Sequence, residues 1–320
     1  MRIKIFNIIF NIAIKNEYIN NYLIFRFGGF SYDKAVSSLE CEYAITQVDQ
    51  DDLQHIGIIY EAQQRSMSNK GGAIVVNNTN QEVLAYNESF VYNAINERKM
   101  LVCICNYDKR TISMIASEIA YYISWVLTGY GYVTMHGGAT TFHGNINNGI
   151  AYLGDNGSGK SSIIMRSIEL GEKITNDDAL YIDMANHSAI KNIQPISLLD
   201  IEKYPYLRKY VIKNDHLYHD KYKIDMAKYS TDVYTNKLHI NTLIWVSNQR
   251  SSSAEIRKID KYSFYKYLVR ASNQFCKVND ALHSTLLDFA ISKECLWLVP
   301  STNVDNTVAM VHKYMDETSR

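Results

Sequence analysis

The chain has 320 residues, 33 basic against 33 acidic side chains, and 47% hydrophobic residues. That length allows one large or two ordinary domains with a real core, the charge balance argues against a general polyanion binder and so against nucleic acid, and 21% charged residues exclude a chain dominated by a disordered tail. Five cysteines without a Cys-x-x-Cys pair exclude a disulfide framework or a zinc ribbon, leaving a reducing cytoplasm as the expected compartment.

At the N-terminus, Ile5–Ile14 is apolar but broken by Asn7 and Asn11 and followed by Lys15-Asn16-Glu17, which reads as a first strand or amphipathic segment and not an export signal. No run of 18 uncharged apolar residues follows, so no membrane span is expected. Short strands are predicted at Tyr22–Phe27, Glu42–Val48, Ile56–Glu61, Ala73–Val76, Glu82–Tyr86 and Met100–Cys105, from β-branched and aromatic residues bounded by Gly, Asn and Asp. Asn77-Asn78-Thr79-Asn80 reads as a hairpin turn. Cys103 and Cys105 alternate in an apolar run and read as buried strand cysteines.

The period then changes. Ile112, Ile115, Ile119, Tyr122, Ile123 and Val126 recur at helical spacing over Thr111–Thr128, with Gly129 as the C-cap. Of 15 glycines, ten lie between Gly129 and Gly171 and none follows, so backbone freedom is concentrated there. Strands at Tyr132–Met135, Gly149–Leu153 and Lys173–Asn176 surround a helix at Lys160–Leu170 closed by Gly171, which is a nucleotide-binding βαβ pattern. Downstream come strands at Ala179–Asp183, Ile240–Ser247 and Glu294–Val299 and helices at Lys261–Ser272 and Val304–Met315, while residues 184–239 read as polar and irregular.

Gly154-Asp155-Asn156-Gly157-Ser158-Gly159-Lys160-Ser161 satisfies Gly-x-x-x-x-Gly-Lys-Ser at every position. Glycines let successive N–H groups turn inward around phosphate, and the following helix points its positive end at the same anion. Lys160 would reach the β/γ-phosphates, Ser161 would place its hydroxyl on Mg²⁺, and Ser162 extends the phosphate-binding set. Asp177 and Asp178 follow the next short strand, where one carboxylate can face Mg²⁺ and the other an attacking hydroxyl. His136 ends Val133-Thr134-Met135-His136 beside Gly137-Gly138, read as flexible backbone near the site. Arg250 lies just past the strand Ile240–Ser247 and could add positive charge, whereas Arg166 on the loop's helix should face solvent.

Met135-His136-Gly137, the loop 154–161, Leu170-Gly171 and Asn176-Asp177-Asp178 resemble the C-terminal domain of HPr kinase/phosphorylase, a branch of P-loop kinases with a phosphoenolpyruvate carboxykinase-like core. The resemblance is concentrated in residues 130–185. It implies an α/β fold with that core at 109–320 behind a β-rich region at 1–108, and ATP- and Mg²⁺-dependent phosphorylation of a hydroxyl, typically serine. The family's catalytic Asp carries over onto Asp177, its loop Lys onto Lys160, its metal-binding Ser onto Ser161 and its active-site His onto His136, with Asp178 a metal or structural partner. The Arg-Gly-Leu-Gly-Ile stretch of true HPr kinases is absent; Gln194–Glu202 stands in that region, and Glu202 could replace the second magnesium carboxylate. The pattern is closer to the lasso-peptide tailoring kinases, which phosphorylate a precursor serine. The expected partner is a peptide, protein or small-molecule hydroxyl substrate, with a homo-oligomer possible. Two rivals stay open, a P-loop ATPase or GTPase and a nucleotide-binding regulatory module without a phosphoacceptor.

Overall fold

The computed structural model describes residues 2–6, 8–13, 17–27, 39–47, 67–70, 73–78, 81–86, 89–94, 99–104, 109–212, 222–276, 278 and 280–318. The chain divides into two compact units, Met1–Val126 and Leu127–Arg320.

The first unit is built on an eight-stranded sheet. In chain order its strands are β1 (Arg2–Ile5), β2 (Ile8–Ala13), β3 (Leu39–Gln47), β4 (Met67–Lys70), β5 (Ala73–Asn78), β6 (Gln81–Tyr86), β7 (Ser89–Ala94) and β8 (Lys99–Ile104). Their order is β1-β2-β3-β8-β7-β6-β5-β4, antiparallel except where β3 pairs parallel with β2 and β8. Asn78 of β5 stands opposite Gln81 of β6, and Thr79 and Asn80 of the expected hairpin turn lie outside the described residues.

The strand expected at Tyr22–Phe27 is instead the second half of helix α1 (Glu17–Phe27). Ile19, Leu23 and Phe27 are buried at four-residue spacing while Glu17, Asn21 and Ile24 are exposed, a helical period that outweighs aromatic and β-branched composition. The strand expected at Ile56–Glu61, and Cys105, lie outside the described residues. Helix α2 (Lys109–Thr128) forms as expected, but the left-handed residue after it is Gly131, not Gly129.

The second unit has helices on both faces of a mixed sheet. Its strands are β9 (Tyr132–Phe142), β10 (Asn145–Leu153), β11 (Ile174–Asn176), β12 (Ala179–Asp183), β13 (Ser188–Ile190), β16 (Lys237–Val246), β17 (Glu255–Lys258) and β18 (Glu294–Val299). A small separate pair, β14 (Ile196–Leu198) with β15 (Tyr222–Ile224), lies in the stretch read as irregular. The helices are α3 (Lys160–Glu169), α4 (Met226–Tyr229), α5 (Lys261–Ser272), α6 (Asp280–Ile291) and α7 (Val304–Thr318).

Strand β16 is central and runs parallel to β10 on one side and β18 on the other. Its residues alternate between two helix layers, as a strand's period of two requires. Ile244 and Val246, with Leu296 and Leu298 of β18, join Ile163, Ile164 and Ile168 of α3 and Val308 and Val311 of α7 in one buried cluster. Trp245 points the other way and stacks on Tyr267 of α5 at 4.6 Å, beside Trp297 of β18. The carboxyl ends of three parallel strands therefore deliver Gly154–Gly159, Arg250 and Pro300–Asn303 to one rim, where α/β sheets gather ligands.

Strand β9 does not stop at His136. It runs on to Phe142 and pairs with β12 through 132–136 and with β11 through 139–140. Asp177 and Asp178 thus sit at a break between two strands paired to the same neighbour, opposite Gly137 and Gly138. The Gly137 amide donates to Asp178 O at 3.2 Å. The glycine pair is buried strand, and its role is close approach: a Cβ on Gly138 would stand 2.7 Å from Asn176 O, 2.4 Å from Ile164 Cδ1 and 3.2 Å from Asp177 Cα. Gly138→Ala should therefore destabilise the chain by about 1–3 kcal/mol through overpacking. A lowered denaturation midpoint in urea checks this, and an unchanged midpoint would show that the aspartate strand can yield.

Candidate active site

The loop after β10 turns with three glycines at positive φ, Gly154, Gly157 and Gly159. Gly159 takes the left-handed conformation (φ 96°) at the start of α3, and a Cβ there would meet the Arg250 guanidinium at 2.5 Å. At Gly154 a Cβ would stand 2.6 Å from Val246 O. The motif's glycines are therefore required by the backbone geometry and by close neighbours. The loop's amides lead into α3, whose N-terminus favours an anion.

Lys160 is 6% exposed and folds back over this loop. Its Nζ donates to Gly154 O and Asp155 O, both at 2.8 Å, and lies 3.1 Å from His136 Nε2. With the ammonium as donor, Nε2 accepts and the His136 proton sits on Nδ1, which donates to Asp178 O at 3.2 Å. The Asp178 carboxylate is 3.5 Å from the same Nδ1. His136 thus connects the loop lysine to the aspartate pair across β9, and its ring lies 6.2 Å from that of Phe275.

Asp177 is 1% exposed, and neither carboxylate oxygen accepts a hydrogen bond of normal geometry. Burial first, then the neighbouring Asp178 charge, push its carboxyl up from the ordinary 3.8 to about 6. The Ser161 hydroxyl, the Lys160 charge and the Asp178 amide act in the opposite direction and hold the rise in check. An orphaned buried carboxylate is costly unless something else answers it. The hard oxygen donors Asp178 and Ser161, beside glycine amides and a lysine, would suit Mg²⁺ with a polyphosphate.

A cleft of about 200 Å³ brings most of the sequence-derived residues together: His136, Asn156, Gly157, Gly159, Lys160, Ser161, Ser162, Asp177, Asp178 and Arg250 all line it. Arg250 also donates to Gly157 O at 3.4 Å, and burial lowers its pKa. Ser158 is fully buried beneath the loop, with its Oγ 3.4 Å from Lys160 Nζ. Asp155 has a different task. Its carboxylate forms a two-pronged ion pair with Arg270 of α5, Nε–Oδ1 2.8 Å and Nη2–Oδ2 2.8 Å, so it fastens the loop to a helix. Glu202 is not brought in; it is exposed and pairs with Arg208, while Asp200 lines the cleft. Arg166 is half-buried and faces Glu169 and Asp305 instead of open solvent.

Ser197–Asp200, Lys203 and Tyr204 complete the cleft from a stretch whose sequence shows no long periodic element. The available signal was Asp200-Ile201-Glu202, where Asp200 accepts from the Glu202 amide and caps a short 3₁₀ turn. Arg270 gave no motif, because its partner is 115 residues away in sequence.

The sequence matches no family model and no curated protein. Among solved structures, an Hpr(Ser) kinase/phosphatase from Coxiella burnetii is similar over 58% of this chain and 95% of that one, with 11% identity and a TM-score of 0.31.

Proposed function

We propose that this chain transfers the γ-phosphoryl group of ATP to a hydroxyl, with serine of a peptide or protein as the acceptor to test first. The observation that carries the reading is the place of Asp177: a buried carboxylate that accepts no hydrogen bond of normal geometry, beside the lysine and serine of a phosphate loop, where burial pushes its carboxyl up to about 6. A base of that pKa can take a hydroxyl proton near neutral pH as the oxygen attacks phosphorus.

In this reading Gly154–Ser162 hold the phosphates through backbone amides. Lys160 exchanges its loop carbonyls for phosphate oxygens and follows the charge that develops on them, while His136 keeps the ammonium aligned. Ser161 and Asp178 would hold Mg²⁺, which would supply positive charge to offset that of the phosphate oxygens. Asp177 accepts the hydroxyl proton. Arg250, against the loop at Gly157 and Gly159, adds positive charge. The acceptor enters past Ser197–Lys203, where Leu199 stands 64% exposed and offers an apolar foothold for a peptide side chain.

With labelled ATP, Mg²⁺ and serine-containing peptides, label should pass to an acid-stable phosphoserine, and ADP formation should rise with acceptor concentration. ADP release at one rate with or without any peptide, protein or small hydroxyl would instead make the chain an ATPase and sink the transferase reading.

A further inference from the structure

A second group of ligand-bearing side chains lies at the far end of β9 from His136. The β9–β10 hairpin turns at His143-Gly144, with φ values of 52° and 67°. Glu172 follows α3, and His312 lies on α7. One ligand atom from each of His143, Glu172 and His312 lies within 4.8 Å of the other two. Asp316 is one helical turn beyond His312, and its Oδ1 is 2.9 Å from His143 Nε2.

Glu172 is the fixed member. It is 5% exposed and accepts from Thr141 Oγ1 (2.6 Å), His143 N (2.9 Å) and Gly144 N (3.0 Å). A carboxylate has about four lone-pair positions, so three donors leave one free. All three partners are neutral, and among the described residues no Lys or Arg pairs with Glu172, so its buried charge is oriented but not neutralised. His143 is the adjustable member. A neutral ring that donates from Nε2 to Asp316 keeps its lone pair on Nδ1, the arrangement in which a carboxylate fixes the tautomer of a metal-bound histidine. The His312 ring stands nearly perpendicular to His143 (81°, centroids 5.8 Å) and packs edge-on against Phe142, which restricts its rotation.

We propose that His143, Glu172 and His312, with Asp316 behind His143, bind one divalent first-row transition cation of the zinc class and thereby pin α7 to the β9–β10 hairpin. Two imidazoles and a carboxylate are the ligand set of such a cation, whereas Mg²⁺ and Ca²⁺ select oxygen. Two carboxylates and two neutral imidazoles balance a double positive charge. Tetrahedral donors about a zinc ion stand about 3.4 Å apart, so ligation draws the exposed His143 ring inward by about an ångström.

The full chain, stripped of metal with a chelator, is titrated with Zn²⁺ and separately with Co²⁺. One equivalent of Zn²⁺ should bind and raise the thermal midpoint by several degrees, and Co²⁺ should show the visible absorption of a four-coordinate N,O site. His143→Asn, at an exposed left-handed position that Asn tolerates, and His312→Gln should each weaken Zn²⁺ at least tenfold while leaving the metal-free midpoint in place. Asp316→Asn should weaken it about tenfold through the tautomer of His143. Asp178→Asn should leave Zn²⁺ affinity unchanged, which separates this site from the cleft. The proposal is overturned if no saturable binding occurs, if the His143→Asn/His312→Gln double variant binds as the wild type does, or if the loss follows Asp178.

Discussion

Asp177→Asn should abolish phosphoryl transfer and, at neutral pH, make the nucleotide-free protein more stable. The loss of transfer follows from removing the base and should amount to about 10²–10⁴-fold. The gain follows from linkage. The folded-state pKa of Asp177 is raised from 3.8 to about 6, so the folded chain holds this proton more tightly than the unfolded chain. The resulting stabilisation is fully present below about pH 4 and is lost as the pH rises through 6. At pH 7.5 the ionised, buried carboxylate therefore costs the fold about 3 kcal/mol, because each tenfold change in proton affinity is worth about 1.4 kcal/mol. An uncharged, nearly isosteric amide escapes that cost. Thermal melts without nucleotide or Mg²⁺ should show the variant several degrees above wild type at pH 7.5 and level with it at pH 4. A variant no more stable than wild type at pH 7.5 would mean that Asp177 is not held ionised against its surroundings. A site that destabilises its own fold in order to act is the usual form of the stability–activity trade-off.

Lys160→Met should lower transfer about a thousandfold, the magnitude lost when a charge-stabilising donor is removed from developing negative charge. Methionine fills the buried stem but leaves Gly154 O, Asp155 O and His136 Nε2 without their donor, so the loop also loses its internal fastening. One consequence separates this lysine from a merely structural one. Its charge holds Asp177 down, so the acid limb of any residual pH–rate profile should move to higher pH in the variant. Residual activity with the wild-type acid limb would show that the two groups do not communicate.

Local patterns carried most of the chemistry. The loop 154–161 is contiguous, and its glycines and lysine have the same requirements wherever the chain folds. The period of Leu282, Leu286, Phe289 and Ala290 in α6 was equally available to a reading by pattern, as was the four-residue spacing in α1, which composition masked. Other features were not local. The Gly137-Gly138 pair read as loose backbone because glycine by itself signals freedom. Only the pairing of β9 with both β10 and the aspartate strand shows that the missing Cβ atoms make room for Tyr152, Ile164 and Asn176. Residues 184–239 read as irregular because their strands are three residues long, too short to show a period.

The sequence by itself determined that the chain has a glycine-rich loop of Gly-x-x-x-x-Gly-Lys-Ser pattern, two carboxylates one short helix later, and a histidine one hairpin before. Those are properties of neighbours along the chain. The tertiary structure decided that His136 reaches Lys160, that Asp155 is spent on Arg270 while Asp200 replaces Glu202 at the cleft, and that Asp177 is buried with its charge only partly offset by Ser161 and Lys160. Burial, desolvation and ion pairing depend on what stands within a few ångströms, and here those neighbours include pairs as far apart in sequence as His136–Lys160, 24 residues, and Asp155–Arg270, 115 residues.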